Sequence, residues 1–371
     1  MTDTASPRLT LRQRWHRLRT SPRFPFVLFF GLLVAGGLSQ VYCYWWGVRV
    51  EQMLARNKAS AVRFAIFPHW IKATLGAKYI KPLEPIRGVH FSSEMTLTQA
   101  PTADDLRWLR GSPYLRELNV TGRLSPEACQ QLSCLTQLKT VYLWAPSDGV
   151  LEALESLPAL TTLTLPFDKS IDPDIYQRVA RMPRLERLVF WMTENTPRQS
   201  AVVSALKNVA ASQSLLRLEG GLSGDEQLLA LTELLSDGSP PLPSLRELRL
   251  SRSSALTDRG LANLRNLPSL LHLDVRYSKV TDQGLAQLRE LPYLRTLYLE
   301  NCAGITDEGA AILATMHGLE SLNITRTRIT PAGVLRVAAL PRLRCLRENY
   351  HDAEMRAKLR RTLPAGCELS Y

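Results

Sequence analysis

From Leu115 onward the chain repeats one apolar unit, L-x-x-L-x-L. It reads Leu115, Leu118, Val120; Leu138, Val141, Leu143; Leu160, Leu163, Leu165; and Leu185, Leu188, Phe190. Leu215 and Leu218 mark a less clear copy. The best copies follow: Leu245, Leu248, Leu250; Leu270, Leu273, Val275; Leu294, Leu297, Leu299; Leu319, Leu322, Ile324. Leu343 and Leu346 begin a last partial copy, and Ile86, Val89 and Phe91 have the spacing of a divergent first one. Successive leading leucines are 23, 22, 25, 30, 30, 25, 24, 25 and 24 residues apart. The two long intervals carry insertions, at about 192–213 and 220–243. A fixed period of this size is the signature of a stacked array.

The spacing predicts local structure directly. In a short strand the last two apolar positions of each unit point to one face. One unit cannot bury its leucines alone, so units stack into a parallel sheet with a continuous core behind it. The second half of each unit predicts a helix. Thr257-Asp258-Arg259-Gly260-Leu261, Thr281-Asp282-Gln283-Gly284-Leu285 and Thr306-Asp307-Glu308-Gly309 each open one. Thr or Asp caps the orphan N–H groups there, and Asp in the first turn suits the helix dipole. Leu261, Leu264 and Leu267 continue at helical spacing, and Pro268 or Pro292 closes the helix. Helices are wider than strands, so the stack bends with the sheet on the inside. Three residues beyond the last strand leucine come Ser253, Ser278, Cys302 and Thr327. A small polar group at that point satisfies turn backbone that would otherwise be buried unpaired. Cys302 therefore reads as structural.

The other face of the sheet is the expected binding surface of such a solenoid. Residues flanking the strand leucines point into it. Tyr142, Trp144, Val189 and Trp191 lie in the N-terminal half, and Glu247, Arg249, His272, Asp274, Arg276, Tyr298 and Glu300 in the C-terminal half. Trp, Tyr and Arg are over-represented among binding hot spots. The expectation is an aromatic subsite near Trp144 and Trp191 beside a charged subsite near Arg249 and Arg276. The competing expectations are that Arg249 and Asp274, at equivalent positions on neighbouring strands, pair with each other, and that the 192–213 segment covers the tryptophans.

Ahead of the repeats, residues 24–46 are mostly apolar and carry no charge. About 20 helical residues span a bilayer core. Tyr42, Tyr44, Trp45 and Trp46 crowd the C-terminal end, where aromatic rings favour the headgroup level. Arg8, Arg12, Arg14, Arg17, Arg19 and Arg23 precede the segment and place the N-terminus on the cytoplasmic side, with the repeats on the other. Arg49, Arg56, Lys58 and Arg63 blur that asymmetry. A cleaved signal would be shorter and end in small residues, and Tyr42 stands where a lipid-modified Cys43 would want one. An Arg-rich, acid-free stretch at 4–23 leaves a transit peptide as a minor alternative. The reading divides the chain into a basic tail (1–23), a transmembrane helix (24–46), a basic juxtamembrane segment (47–85) and a repeat domain with a C-terminal cap (86–371). In the juxtamembrane segment Met53, Leu54, Val62, Ile66 and Trp70 share a face that either lies on headgroups or packs under the first repeat.

The formal charge of +12 invites a nucleic-acid reading. Its distribution argues against one. Residues 1–23 and 47–85 each carry a net +5, which leaves +2 for residues 86–371, with 33 basic and 31 acidic residues. Nucleic-acid binding needs the excess on the folded domain, whereas basic residues beside a bilayer are drawn to anionic headgroups.

Chemistry is not evident. No phosphate-binding loop, H-E-x-x-H or G-x-S-x-G motif occurs. The cysteines at 43, 129, 134, 302, 345 and 367 form no C-x-x-C pair and predict neither zinc nor a disulfide framework. The six histidines are isolated in sequence. His272 alone falls on the inner sheet face, where a solvated cross-strand network is the plainer reading. Glu219–Gly224 is glycine-rich and reads as a flexible turn. Asn119-Val120-Thr121 and Asn323-Ile324-Thr325 match the glycosylation sequon but lie within predicted strands. Neither an enzyme, a metal, a cofactor nor a small-molecule substrate is expected.

The L-x-x-L-x-L units with T-D-x-G-L helix starts resemble cysteine-containing and ribonuclease-inhibitor-like leucine-rich repeats, over about 86–371 and most closely from 245 to 346. The whole arrangement is similar to bacterial membrane-anchored leucine-rich repeat proteins, in which a stretch like Trp70-Ile71-Lys72-Ala73-Thr74-Leu75-Gly76 leads into the first strand. The resemblance implies an α/β leucine-rich repeat solenoid behind one N-terminal transmembrane helix. It specifies the fold and leaves the partner open. Similar repeats occur in the substrate-binding part of F-box proteins, but no F-box-like segment is recognisable here. The expected function is a membrane-tethered protein-binding module that uses the inner face. The alternative is a structural or assembly subunit docked on a membrane complex.

Overall fold

The computed structural model describes Gln52, residues 60–63, 86–91 and 101–370, apart from 111–113, 168–171, 193–198, 221–223, 251–253 and 350–352. The tail 1–23 and the apolar segment 24–46 lie outside the described residues. Among the described residues no helix is long and apolar enough to cross a membrane.

Among the described residues, thirteen strands form one sheet in chain order. They are β1 (Ser60–Arg63), β2 (Ile86–Phe91), β3 (Glu117–Val120), β4 (Thr140–Leu143), β5 (Thr162–Phe167), β6 (Arg187–Met192), β7 (Arg217–Gly220), β8 (Glu247–Arg249), β9 (His272–Asp274), β10 (Thr296–Tyr298), β11 (Ser321–Asn323), β12 (Cys345–Arg347) and β13 (Glu368–Ser370). The order follows from the repeat, because each strand is too short to do more than pair with its two sequence neighbours. The central leucines run in register: Leu118, Val141, Leu163, Leu188, Leu218, Leu248, Leu273, Leu297, Leu322 and Leu346. All are 0–1% exposed. A fully buried leucine contributes roughly 1.5–3 kcal/mol, so this one row is a large part of the core.

The divergent first copy is present, with Val89 opposite Leu118 and Phe91 opposite Val120. Two elements at the ends escape the repeat pattern. β1 runs antiparallel to β2 and covers the N-terminal edge of the parallel sheet, so part of the juxtamembrane segment joins the solenoid. β13 adds a strand after the last partial copy, with Leu369 opposite Leu346. A bare edge row is a template for unwanted pairing, and β1 moves that edge off the repeats.

The helices behind the sheet begin where the T-D-x-G motif predicts. Thr257, Thr281 and Thr306 are the N-caps, and each hydroxyl accepts a hydrogen bond from the second helical N–H. The structure corrects the part assigned to the aspartates. Each reaches across to the following repeat rather than capping its own helix. Asp258 accepts from the Thr281 N–H at 2.8 Å and its hydroxyl at 2.6 Å. Asp225 does the same for Thr257, Asp282 for Thr306 and Asp307 for Thr330. The glycine completes the motif. A Cβ on Gly260, Gly284, Gly309 or Gly333 would run into the carboxylate of the preceding repeat's aspartate. One residue thus caps, one links and one makes room.

Both insertions contain helix. The first supplies the helix Gln199–Ala210 and the second lies around the helix Asp225–Thr232. Gly220 is not part of a loose turn: its φ is +136°, and a Cβ there would collide with the Phe190 backbone.

Candidate open-face interaction site

Alternation places two rows of side chains on the face away from the helices. One row runs Glu117, Thr140, Thr162, Arg187, Arg217, Glu247, His272, Thr296, Ser321. The other runs Asn119, Tyr142, Thr164, Val189, Glu219, Arg249, Asp274, Tyr298, Asn323. From β3 to β6 the rows are mostly hydroxyl, aromatic or aliphatic, and from β6 to β10 they are mostly charged. Neighbouring strands are ~4.8 Å apart, so the two zones meet on β6 and β7 without a gap.

Trp144 and Trp191 come together as expected. Their ring centroids are 4.1 Å apart at an interplanar angle of 57°. They sit on either side of β5, where Pro166 is opposite Trp191. Trp144 is held by its indole N–H, which donates to Asn119 Oδ1 at 3.2 Å. It remains 48% exposed. Tyr142 stands one strand from Thr164 in the same row.

The charged zone is built differently from the expectation. Arg249 is in register with Asp274 but does not pair with it. Its guanidinium contacts Glu247 and lies 3.8 Å from Glu219. Asp274 is 1% exposed and is taken by Arg276 of its own repeat, through Nε at 2.9 Å and Nη2 at 2.8 Å. The reason is geometric. Two positions along the extended chain bring Arg276 back over the same face, and its fork matches a carboxylate bidentately. Arg276 continues to Glu300 at 3.5 Å and lies 5.7 Å from the Tyr298 ring centre. Tyr277 donates to Glu300 at 3.0 Å. His272 packs edge-on against Tyr298, with centroids 5.0 Å apart.

Residues outside the expected set complete the network. Arg187 binds Glu219 at 2.8 Å and Arg217 binds Glu247 at 2.9 Å. Both arginines belong to copies with long intervals, where the register was hard to follow. Glu219 raises the Arg187 guanidinium further above its usual range, and Asp274 does the same for Arg276, each chiefly through the hydrogen bond between them. Burial pushes the His272 imidazole below its ordinary value, and its Nε2 is buried without a hydrogen bond. The zone is therefore a set of crossed ion pairs with an uncharged histidine inside it.

The turn ladder matches its expectation where it is described. Ser278 Oγ and Cys302 Sγ are 3.4 Å apart, and the thiol donates to the Val275 carbonyl at 3.4 Å. Burial raises the Cys302 thiol above its ordinary range. Ser253 lies outside the described residues. Both sequon asparagines are on strands, and Asn323 is buried with Oδ1 accepting from Thr325.

A parallel sheet of short strands alternating with helices, with threonine–aspartate links joining the units from Asp225 to Thr330, defines a repeat solenoid. Residues 113–367 match the family described as "Leucine-rich repeat region", which is more than half of the chain, and the chain belongs to that family. No curated protein matches it. Among solved structures it is similar to the yeast Rad7 and Elc1 complex, with 17% identity, 90% of each chain covered and a TM-score of 0.41. It is also similar to the internalin InlF of Listeria monocytogenes, at 15% identity over 81% of this chain and 92% of that one, TM-score 0.41. A third is TLR13 in its complex with ssRNA13, at 18% identity and TM-score 0.41. There the match covers 68% of this chain and 39% of TLR13.

Proposed function

We propose that this chain is a membrane-tethered module that binds a protein partner on the open face of its repeat sheet and performs no chemistry of its own. The observation that carries the reading is the Trp144–Trp191 pair, in tilted contact at a centroid distance of 4.1 Å with Trp144 half exposed. Two large rings already fixed against each other lose little conformational freedom when a partner covers them. Arg249 on β8 and Arg276 just after β9, two and three strands along from Trp191, present guanidinium groups that are partly solvent-exposed and held on their other sides by carboxylates. Such an arrangement gives an aromatic anchor with an oriented polar surround, as binding hot spots have. Tethering rests on residues 24–46 and their arginine flank, and puts the repeats on the non-cytoplasmic side. An anchor also raises effective concentration near membrane partners.

The test is a crosslinking pull-down from native membranes with the full chain beside Trp144→Ala/Trp191→Ala and Arg249→Ala variants. A defined protein captured by the wild type and lost with the tryptophan variant supports the reading. Equal capture by all three overturns the open-face site. Extraction of the chain by alkaline carbonate would overturn the tether independently.

A further inference from the structure

Summed along the sequence, the repeat domain is close to neutral. In the fold, arginines without an ion pair among the described residues recur along one edge, beside carboxylates such as Glu155, Glu186, Glu233 and Glu290. Each helix returns antiparallel to its strand, so helix C-termini and strand N-termini share one edge of the solenoid. Arg110, Arg181 and Arg289 are the C-caps of the helices Ala103–Leu109, Pro173–Ala180 and Asp282–Leu288. Arg246 and Arg342 stand in the loops that enter β8 and β12, and Arg361 ends the helix Ala353–Thr362. All six are exposed, and none has an ion pair among the described residues. The opposite edge, where helices begin, carries the aspartates of the threonine links. The helix dipole accounts for arginines at the C-caps. It does not account for Arg246 and Arg342, which lie beyond the helices.

Exposed apolar side chains gather on the same edge. Trp108 is in the last turn of its helix, Leu234 follows another, and Tyr114 and Tyr293 sit in strand-entry loops, each at least 41% exposed. Between the last repeats this edge opens into a cleft of about 390 Å³ lined by Arg295, Glu320, Arg342 and Arg344. Three arginines around one carboxylate leave it cationic.

We infer that this strand-entry edge is a peripheral membrane-docking surface for anionic lipid headgroups. Arginines beside tyrosine, tryptophan and leucine are the composition of an interfacial segment: the cations meet headgroup phosphates and the rings insert at headgroup depth. Nucleic acid would use the cations and could stack bases on the rings, but would give no reason for the exposed Leu234. The choice of lipid also rests on the tethered reading above. Only residues 47–59 separate the apolar segment from β1. Such a chain reaches at most ~50 Å, so a tethered solenoid is held near the bilayer, with β1 carrying the chain from the opposite edge at Ser60 to this edge at Arg63.

The test uses the full chain reconstituted into phosphatidylcholine vesicles with or without a photoactivatable phosphatidylserine, with adducts mapped by mass spectrometry. The expected result is headgroup adducts at 107–116, 289–295 and 341–344 and none around the helix starts 306–308. Arg246→Gln, Arg289→Gln and Arg342→Gln together should lower the adduct yield by about 100-fold, at roughly fivefold per cation, with an unchanged melting temperature as the check on folding. Adducts confined to residues 24–63 would overturn the docking edge while leaving the tether intact. Tighter binding of an oligouridylate than of phosphatidylserine vesicles, lost in the same triple variant, would overturn it in favour of nucleic acid. If the chain does not insert at all, the tethered reading fails, and edge adducts on vesicle-bound protein would still support the docking surface.

Discussion

The link between repeats makes a sharp prediction at Gly284. On helix propensity alone, replacing a helical glycine by alanine stabilises by up to about 1 kcal/mol. Here the new methyl would lie 3.1 Å from the Asp258 carboxylate carbon and 2.9 Å from Val280 Cγ1, with the carboxylate oxygen closer still. The carboxylate must withdraw, and it then loses both hydrogen bonds to Thr281. Hydrogen bonds to a charged group contribute about 1.5–3 kcal/mol each. The rung is only partly buried, so water replaces some of that and the lower bound of about 3 kcal/mol applies. Subtracting the propensity gain leaves Gly284→Ala destabilising by about 2 kcal/mol. For a repeat domain spanning 86–371, at ~2.1 cal/mol/K of unfolding entropy per residue, that lowers the melting temperature by about 3–4 °C. Gly149 is the matched control, because its Cβ would meet only Cys129 Sγ at an ordinary 3.7 Å. Thermal unfolding by circular dichroism of the full chain in detergent reads both variants, and a cycle with Asp258→Ala isolates the link. Gly284→Ala should fall, Gly149→Ala should hold or rise, and most of the Gly284 penalty should vanish once Asp258 is gone. The reasoning is refuted if Gly284→Ala melts at or above wild type, or carries the same penalty without Asp258.

Three further outcomes follow from the open face and the turn ladder. His272 has its folded-state value depressed by burial, so the folded state binds fewer protons than the unfolded one, and stability is fully present above about pH 6.5. It is lost as pH falls from there through the folded value; His272→Gln should flatten that acid-side slope in denaturant titrations. Cys302 is fully buried with its thiol raised, so a maleimide should label Cys134, Cys345 and Cys367 in the native protein and reach Cys302 only on unfolding, read by peptide mapping. Asp274→Ala strips the partner from Arg276; because that arginine keeps some solvent contact, the expected cost is about 1–3 kcal/mol in urea unfolding, with Asp274→Asn milder.

Much of this fold was legible because burial is periodic. A leucine every 3 and then 2 positions is the same constraint in every unit, so strand positions, helix starts and the stacking order can be read from one row of letters. What was not legible lies between units. Asp258 meets Thr281 and Gly284 across a repeat, and in a single T-D-x-G motif a linking aspartate looks the same as a capping one. Asp274 pairs within its own repeat for a related reason. Register alone sets it beside Arg249, and only the path of the chain after the strand brings Arg276 back over it. The end strands were missed on physical grounds too. Ser60–Arg63 pairs antiparallel and Glu368–Ser370 lacks the full leucine spacing, since each caps the stack and need not be buried on both sides. The tryptophan pair was legible because Trp144 and Trp191 occupy equivalent open-face positions two strands apart.

Charge shows most clearly why counting along a chain and reading a surface differ. Arginines recur near several helix ends and aspartates near several helix starts, so a domain nearly neutral in sum still gathers cations unpaired among the described residues along one edge. Stacking also fixes how that edge relates to the binding face. The open face looks along the sheet normal, while the strand-entry edge looks along the strands, so the two are roughly perpendicular. A solenoid resting on a bilayer by that edge therefore holds Trp144 and Trp191 sideways, uncovered by lipid and aimed parallel to the membrane plane. A partner bound there would itself lie beside the membrane, and both contacts can exist at once without competing for a residue. Docking of the edge would then remove orientations in which the tryptophans face lipid or bulk solvent. On this geometry neutralising Arg246, Arg289 and Arg342 should weaken capture of a membrane-embedded partner while leaving capture of its solubilised form unchanged, a split that a defect in the open face itself would not produce.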